Sequence, residues 1–167
     1  MLQMAVSNQK IINVSSMFFD PNRDSAAIGR AALQSAGVLN SQYQLHLDAA
    51  MEYAKASPPE LVFVDLSPDT EVEGLKLIRF IRAEKTDKPP RIMAFLGKGT
   101  RDALITAIKG GADTVVVKPL APDSLHKKIK QLLQAPQNYI TATKYYGPDR
   151  RRVPSEDEYG GDERRRT

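Results

Sequence analysis

Two residues of opposite charge stand at the points where two short apolar segments of the chain end. Asp65 closes the segment Leu-Val-Phe-Val-Asp, and Lys118 follows the segment Thr-Val-Val-Val and precedes Pro119. A carboxylate can accept a phosphoryl group as a nucleophile, and an ammonium group can neutralise the charge on the oxygens of that group. If the fold brings the two side chains together, they form either a phosphoryl-transfer site or a buried ion pair without chemistry.

A second candidate site comes from a short repeat near the C-terminus. The pattern Tyr-x-Gly-x-acid-Arg-Arg-Arg begins at Tyr145 and again, fourteen residues later, at Tyr159. Arginine forks bind phosphate or the O6 and N7 edge of guanine, carboxylates can accept from its N1 and N2 edge, and tyrosine rings stack on bases. One copy therefore suits a guanine nucleotide. Two copies suit a ligand with two guanines and two phosphates, a composition that cyclic di-GMP has.

The charge of this C-terminal stretch argues against bulk binding of nucleic acid. Six of the twelve arginines lie in two runs, at positions 150–152 and 164–166. Residues 144–167 nevertheless carry six acids against seven bases, a net charge of only +1. Nucleic-acid-binding tails neutralise phosphates and usually carry a clear positive excess. Nucleic acid is therefore not the expected ligand, while a segment that contacts a protein partner is an alternative to the nucleotide site.

The composition excludes several other classes of site. The chain of 167 residues has no Cys and only two His, so it offers no disulfide framework, no thiolate ligands and little histidine chemistry. The sequence holds no visible nucleophile–base pair or metal cluster, and we predict that the protein is not an enzyme. We expect a cytoplasmic protein without membrane contact, because we find neither a signal peptide nor an apolar run near the ~20 residues of a membrane-spanning helix.

Five short apolar segments alternate with stretches of helical pattern, and together they must position this chemistry. The predicted strands cover residues 11–19, 43–47, 61–65, 91–96 and 114–117. The predicted helices cover residues 24–36, 48–56, 74–84, 101–109 and 122–133, with Thr100 as the N-cap of the fourth. This alternation predicts an α/β fold, a (βα)5 doubly wound sheet of five parallel strands with helices on both faces.

The pattern divides the chain into three regions. They are an N-terminal extension at 1–10, a folded domain at 11–133 and a flexible extension at 134–167, which has too few aliphatic residues to fold alone. In open α/β sheets, ligands bind beyond the carboxyl ends of the strands. In this sequence those ends carry Asp20, Asp65, Leu96 and Lys118.

Three stretches resemble the receiver domain of bacterial response regulators: ELVFVDLSP, EGLKLIRFIR and KGGADTVVVKPL. The resemblance covers about residues 10–133 and implies that Asp65 is the phosphoacceptor and that the Lys118-Pro119 peptide bond is cis. It also shows departures from the family. The family has two adjacent acids after its first strand to hold magnesium, whereas this chain has only Asp20, and it has Ser or Thr at the position of Leu96.

Two further departures lie at Val115, where the family has an aromatic switch residue, and in the loop between Asp65 and Gly74, which is one residue longer. We therefore predict a degenerate phosphorylation site that neither binds magnesium nor accepts phosphate. A response regulator that is still phosphorylated on Asp65 is the alternative. The family often docks partners through its fourth helix, fifth strand and fifth helix, and the resemblance implies a protein partner on that face.

The arginine-rich extension carries a resemblance of its own, to chemotaxis-regulator-like effectors of cyclic di-GMP. It implies that the acid and the arginines of each copy bind the dinucleotide, with Tyr145 and Tyr159 as stacking residues. The residues carried over are Asp149, Arg150, Arg151, Arg152, Glu163, Arg164, Arg165 and Arg166. We predict a signalling adaptor of the chemotaxis or two-component type, in which this ligand modulates partner binding. A pure protein-interaction module with the extension as a linear motif is the alternative.

Overall fold

The computed structural model describes residues 11–137, 139–142 and 145–148. Within residues 11–137, five strands alternate with five helices. The strands are β1 (Ser16–Phe19), β2 (Ser41–Gln44), β3 (Leu61–Asp65), β4 (Arg91–Leu96) and β5 (Thr114–Val117). The helices are α1 (Arg23–Ser35), α2 (Leu47–Ala56), α3 (Glu71–Ala83), α4 (Arg101–Gly110) and α5 (Pro122–Gln134). A pair of short strands, β6 (Tyr139–Ala142) and β7 (Tyr145–Pro148), follows α5.

The five strands form one parallel sheet in the order β2-β1-β3-β4-β5. The predicted (βα)5 fold is thereby confirmed. Helices α1 and α5 cover one face of the sheet, and α2, α3 and α4 cover the other. Along β3, Val62 and Val64 face the second layer, while Leu61 and Phe63 face the first. Both faces of the sheet are therefore buried, as expected for a sheet built from strand–helix–strand units.

Aromatic rings fill the layer under α1 and α5. The ring centroids of Phe18 and Phe95 lie 5.5 Å apart, and those of Phe63 and Phe95 lie 5.6 Å apart. Pairs at this spacing contribute about 0.5–1.5 kcal/mol each beyond the burial of their surface.

No helix of the described residues has the length and apolar character that crossing a membrane requires.

The bounds of the strands agree with the sequence to different degrees. The bounds of β3, β4 and β5 are those predicted. The first strand is shorter than predicted, because residues 11–15 form a lead-in in which the N–H of Ile12 donates to Gly37 O. The second strand lies earlier than predicted: β2 is Ser41–Gln44, and Leu47 begins α2, where it packs against the core.

The helix ends follow local chemistry. Thr100 is the N-cap of α4 as predicted, and its side chain accepts from the N–H of Ala103 at 3.2 Å. The same helix ends at Gly111, whose φ of +117° lies in the left-handed region that side chains avoid. A Cβ at Gly111 would also lie 2.9 Å from Cγ of Arg82, so the position needs glycine for space as well.

The region after α5 differs from the predicted flexible extension at two stretches. Strands β6 and β7 pair antiparallel, with Ala142 opposite Tyr145. Tyr, Ile and Thr suit strands, and antiparallel pairing satisfies backbone groups without an aliphatic core, which is why the search for aliphatic residues missed this hairpin. The hairpin starts from the edge of the sheet where the strands begin, because Gln137 Nε2 donates to Pro89 O, just before β4, at 2.9 Å.

Candidate functional site at the strand ends

Three of the four predicted strand-end residues meet at the carboxyl edge of the sheet. Asp20 directly follows β1, which pairs in register with β3, the strand that ends at Asp65. The backbone N–H of Lys118 donates to Leu96 O at 2.9 Å, which holds Lys118 at the same edge. Asp65 Oδ2 lies 2.5 Å from Lys118 Nζ. The expected carboxylate–ammonium pair is therefore formed, and the Lys118-Pro119 peptide bond is cis.

Both carboxylate oxygens of Asp65 have partners. Oδ1 accepts from the N–H of Ser67 at 3.0 Å and from the hydroxyl of Thr70 at 2.6 Å. Oδ2 contacts Lys118 Nζ and has no hydrogen-bond partner besides that ion pair among the described residues. The side chain is fully buried, with a relative exposure of 0%. A phosphoryl donor would have to displace these contacts before it could reach either oxygen.

The loop after β3 and the start of α3 close over Asp65. Thr70 is the N-cap of α3 and is itself only 2% exposed. The helix comes close to the strand end because Gly74 has no side chain: a Cβ there would lie 2.6 Å from Asp65 O. Glycine at this position therefore brings the first turn of α3 over the carboxylate.

Lys118 joins Asp65 to the first helix. Its ammonium group donates to Ser25 Oγ at 2.8 Å and to Ser67 Oγ at 3.2 Å, in addition to the ion pair with Asp65. The side chain is 27% exposed. An ammonium group has three donors, and all three have a partner in this arrangement.

Asp20 is buried behind Lys118 and is held by α1. Its Oδ1 accepts from the N–H of Asn22 at 2.9 Å, and its Oδ2 accepts from the hydroxyl of Ser25 at 2.5 Å. Burial raises the pKa of the Asp20 carboxyl above 3.8, and the negative charge of Asp65 raises it further. The hydrogen bond from Ser25 opposes this shift, because it stabilises the charged form.

The Leu96 side chain does not join this cluster. It is 1% exposed and packs in the apolar layer under α2, α3 and α4, so that only its backbone oxygen contacts Lys118. Val115, at the position of the family's aromatic residue, is 2% exposed and lies in the same layer. Neither side chain can donate a hydrogen bond to an anion at the strand ends.

The carboxylates at the strand ends are already engaged in hydrogen bonds and an ion pair. Mg²⁺ requires a near-octahedral set of oxygens, and the acids at this edge are Asp69, whose Oδ2 accepts from Asn22 Nδ2 at 3.2 Å, and the buried pair Asp20 and Asp65. Their oxygens already accept hydrogen bonds from Ser25, Thr70 and two backbone N–H groups, and Lys118 places a positive charge beside them. Across the part of the chain that is described, no group of three or more His, Asp or Glu could hold a metal ion.

Three hydroxyl residues of the cluster were missed by the sequence analysis: Ser25, Ser67 and Thr70. The sequence held a signal for Ser67 alone. Its N–H donates to Asp65, two residues before it, as the N–H of Asn22 donates to Asp20, and this two-residue spacing is that of an Asx turn. No local signal identifies Ser25 and Thr70, because each reaches the site only after its helix packs against the sheet.

The predicted cyclic di-GMP residues fall largely beyond the described part of the chain. Tyr145 begins β7. The other residues lie outside the described residues: Asp149, Arg150, Arg151, Arg152, Tyr159, Glu163, Arg164, Arg165 and Arg166. The hairpin that precedes them leaves the domain near Pro89, at the edge of the sheet opposite to Asp65 and Lys118.

Comparison with protein families gives a match over most of the folded domain. Residues 18–130 match the model of the response regulator receiver domain. The chain is 35% identical to a chemotaxis protein CheY homolog of Campylobacter jejuni over 63 residues, which are 38% of this chain and 48% of that protein. It is 33% identical to chemotaxis protein CheY1 of Helicobacter pylori over 63 residues, 38% of this chain and 51% of that protein. These alignments span about half the length of the curated relatives.

Solved structures show the same fold. A response regulator from Thermotoga maritima superposes with a TM-score of 0.61 at 25% identity, over 74% of this chain and 100% of that chain. A putative response regulator from Chloroflexus aurantiacus superposes with a TM-score of 0.63 at 20% identity, over 73% of this chain and 98% of that chain.

Proposed function

Because the chain belongs to the response regulator receiver family, we propose that it is a signalling adaptor that works without phosphorylation of Asp65. Its arginine-rich C-terminal segment binds cyclic di-GMP, and the bound ligand modulates the contact with a protein partner. The relatives named as chemotaxis proteins in Campylobacter and Helicobacter support a role in chemotaxis-type signalling. The proposal places the protein in the cytoplasm and assigns it no enzymatic activity.

The closed arrangement of the strand ends supports the first part of the proposal. Asp65 is fully buried, and its oxygens accept from Ser67 and Thr70 and face Lys118. Phosphoryl transfer to a carboxylate needs an exposed oxygen, a cation and a donor for the transferred oxygens. Leu96 supplies no donor, and Asp20 is a single acid directly after β1, where the family has an adjacent pair. Asp65 and Lys118 then act as a structural ion pair.

The double repeat carries the second part of the proposal. Each copy combines one Tyr, one Gly, one acid and three Arg in the same order, which a solvated charge run has no reason to maintain. In this proposal residues 11–133 form the receiver domain, residues 1–10 an N-terminal extension and residues 134–167 the ligand-binding extension. Cyclic di-GMP is the only small ligand proposed, and magnesium and nucleic acid are not expected to bind.

The partner is proposed to dock on the α4–β5–α5 face, which is remote from β2. Val117 on β5 is 39% exposed, an apolar side chain at the surface. A Cβ on Gly99 would lie 3.1 Å from Cγ2 of Val117, so the loop before α4 packs closely against this side chain. Exposed lysines on α5, Lys127 and Lys130, border the apolar centre and suit an acidic partner.

Isothermal titration calorimetry with cyclic di-GMP tests the proposed function on the full chain. We expect a saturable heat that GMP and GTP do not reproduce. Replacing Arg150, Arg151 and Arg152 together by Ala should weaken binding at least about 100-fold, since hydrogen bonds to charged groups are worth about 1.5–3 kcal/mol each.

A matched control removes the same charge elsewhere. Replacing Lys98, Lys127 and Lys130 by Ala also removes three positive charges, from exposed positions around α4 and α5. This variant should bind like the parent chain. Equal heats for cyclic di-GMP and GMP, or equal losses in both triple variants, would contradict a specific dinucleotide site. In that case a protein-interaction segment, captured by its partner, becomes the better interpretation.

The alternative of a phosphorylated regulator rests on one observation, the retained pair of Asp65 with Lys118 followed by a cis proline. The product on Asp65 distinguishes a phosphorylated regulator from the proposed adaptor. A regulator of this kind forms an acyl phosphate on Asp65, whereas an adaptor binds its ligand whether position 65 is Asp or Asn.

A further inference from the structure

A shallow apolar groove lies between the ends of α2 and α3, on the side of the molecule away from the strand-end site. About 450 Å³ of space lies between its walls, including the open mouth. Its apolar lining comes from the two helices and the loops that follow them: Ala54, Pro58, Phe80, Ile81 and Pro90. Two charges stand at opposite rims, Lys55 in the last turn of α2 and Glu84 at the C-cap of α3.

The chain after α5 is directed towards this groove by side-chain contacts. Arg91 donates through Nη1 to Leu132 O and through Nη2 to Ala135 O, the latter at 2.9 Å, and so fixes the end of α5. Gln137 then donates to Pro89 O at 2.9 Å, one residue from the groove residue Pro90. Strand β7 continues alongside α3. Pro148, where the described chain ends, pairs with Tyr139, two residues after Gln137, and so lies close to the α3 side of the groove.

The sequence of residues 149–167 matches the groove in the order in which the chain meets it. Arg150, Arg151 and Arg152 come first, and Glu84 is on the nearer rim, the α3 rim. Val153-Pro154 follows, the one aliphatic pair of this segment. The acidic run Glu156-Asp157-Glu158 comes next, and Lys55 is on the farther rim, the α2 rim. The charges, the apolar pair and the chain direction all match one orientation of the segment, in which it crosses the groove from the α3 rim to the α2 rim.

The tether is short enough to populate such a contact. Val153 lies five residues after Pro148, the last residue of β7, and an extended chain covers about 3.3–3.6 Å per residue. A segment held on a short flexible tether has an effective concentration on the order of millimolar. A weak contact, made by two apolar residues and two charged groups, is therefore sufficient to hold the segment in the groove.

We propose that residues 150–158 seat in the α2–α3 groove of the same chain, with Val153-Pro154 against its apolar floor. Where the proposed function holds, cyclic di-GMP and the groove compete for the same arginines, so binding of the ligand releases the segment and exposes the groove. The ligand then controls a second surface of the receiver domain, distinct from its α4–β5–α5 face.

A nitroxide label at position 155 tests the seat in the full chain, without nucleotide. The chain has no Cys, so Ser155→Cys gives a single attachment point. The label should broaden the amide signals of Ala54, Phe80 and Ile81 strongly in a ¹⁵N correlation spectrum, and those of Ile28 on the opposite face of the sheet weakly. Equal broadening at both places would refute the seat.

Charge reversal checks the direction of the segment. Lys55→Glu should reduce the broadening at the groove, and reversing Glu156, Asp157 and Glu158 to Lys in the same chain should restore it. The matched control Lys127→Glu, an exposed lysine on α5, should leave it unchanged. Broadening that is insensitive to Lys55→Glu would overturn the proposed arrangement.

A mixing experiment separates this occupant from a second copy of the chain. Unlabelled ¹⁵N protein mixed with nitroxide-labelled ¹⁴N protein should show no broadening at the groove. Broadening in the mixture would assign the groove to a second copy and overturn the intramolecular seat. Failure of the calorimetric titration would refute the dinucleotide ligand alone, because the label experiment contains no nucleotide.

Discussion

At the scale of single residues, the strand-end site is a set of satisfied hydrogen bonds. Lys118 contacts Asp65, Ser25 and Ser67, and the Ser25 hydroxyl donates a hydrogen bond to Asp20. Lys118 is ion-paired with Asp65, so the second buried acid, Asp20, depends on hydroxyl and backbone N–H donors. Asp20 is the acid that lacks a direct ion pair, and its pKa is the one that rises.

The raised pKa of Asp20 predicts a pH-dependent contribution to stability. A carboxyl with a higher pKa in the folded state binds its proton more tightly there than in the unfolded chain. The folded state therefore loses stability as the pH rises from 3.8 through the folded-state pKa. Asp20→Asn removes this loss. The free energy of unfolding of the parent chain, minus that of Asp20→Asn, should therefore fall as the pH rises above 3.8 and then become constant.

Urea unfolding at a series of pH values measures this difference directly. Asp24→Asn is the control, because Asp24 is exposed in the first turn of α1. Its difference from the parent should stay nearly flat or change in the opposite sense. A difference for Asp20→Asn that rises with pH would show that the fold stabilises the charged form of Asp20, contrary to the arrangement described.

At the scale of elements, burial decides how well the sequence predicted each strand and helix. Strands β3 and β4 are buried on both faces and β5 reads Thr-Val-Val-Val, so all three form continuous apolar runs whose ends are sharp in the sequence. The edge strand β2 reads Ser-Gln-Tyr-Gln and has no such run. The prediction therefore shifted towards Leu47, whose apolar side chain serves the packing of α2.

The site was predictable in part, for a similar reason. Asp20, Asp65 and Lys118 stand at strand ends, and the rule that parallel strands share one carboxyl edge was enough to bring them together. Ser25 and Thr70 contribute from the first turns of α1 and α3, and their arrival depends on how those helices pack. The hairpin depends on pairing between two strands of four residues each, which are too short to give a periodic pattern in the sequence.

A buried arginine ties together the elements at the edge opposite to the strand-end site. Arg82 on α3 is 4% exposed and donates to Gly111 O at 2.9 Å, to Pro90 O at 2.6 Å and to Asp113 Oδ2 at 2.9 Å. Arg82→Ala should lower the free energy of unfolding by about 3–5 kcal/mol, because it removes the ion pair with a largely buried carboxylate and two hydrogen bonds to backbone oxygens. Chemical denaturation measures the loss.

The neighbouring Arg79 provides the control for this prediction. It is on the same helix and exposed, so Arg79→Ala should change the free energy of unfolding by less than about 0.5 kcal/mol. Equal effects of the two substitutions would show that the contacts of Arg82 contribute little and that α3 is held by its apolar face alone.

At the scale of the whole molecule, the strand-end site and the point where the C-terminal extension leaves the domain lie at opposite edges of one sheet. Asp65 and Lys118 occupy the edge where the strands end, and the C-terminal extension departs from the edge where they begin. In the proposed function the first edge is a structural remnant of the family's phosphorylation site, and signalling has moved to the second. The residues around β4 then connect α3, the end of α5 and the extension.

The reactivity of Asp65 is the most direct test of this account. The full chain and its Asp65→Asn variant are incubated with acetyl phosphate and magnesium, beside a receiver domain that is known to react, and the intact masses are measured at once. We predict that the parent chain and the variant both keep the mass of the untreated protein while the reference domain gains a phosphoryl group. A stoichiometric phosphoryl adduct on the parent chain that is absent from Asp65→Asn would contradict the account.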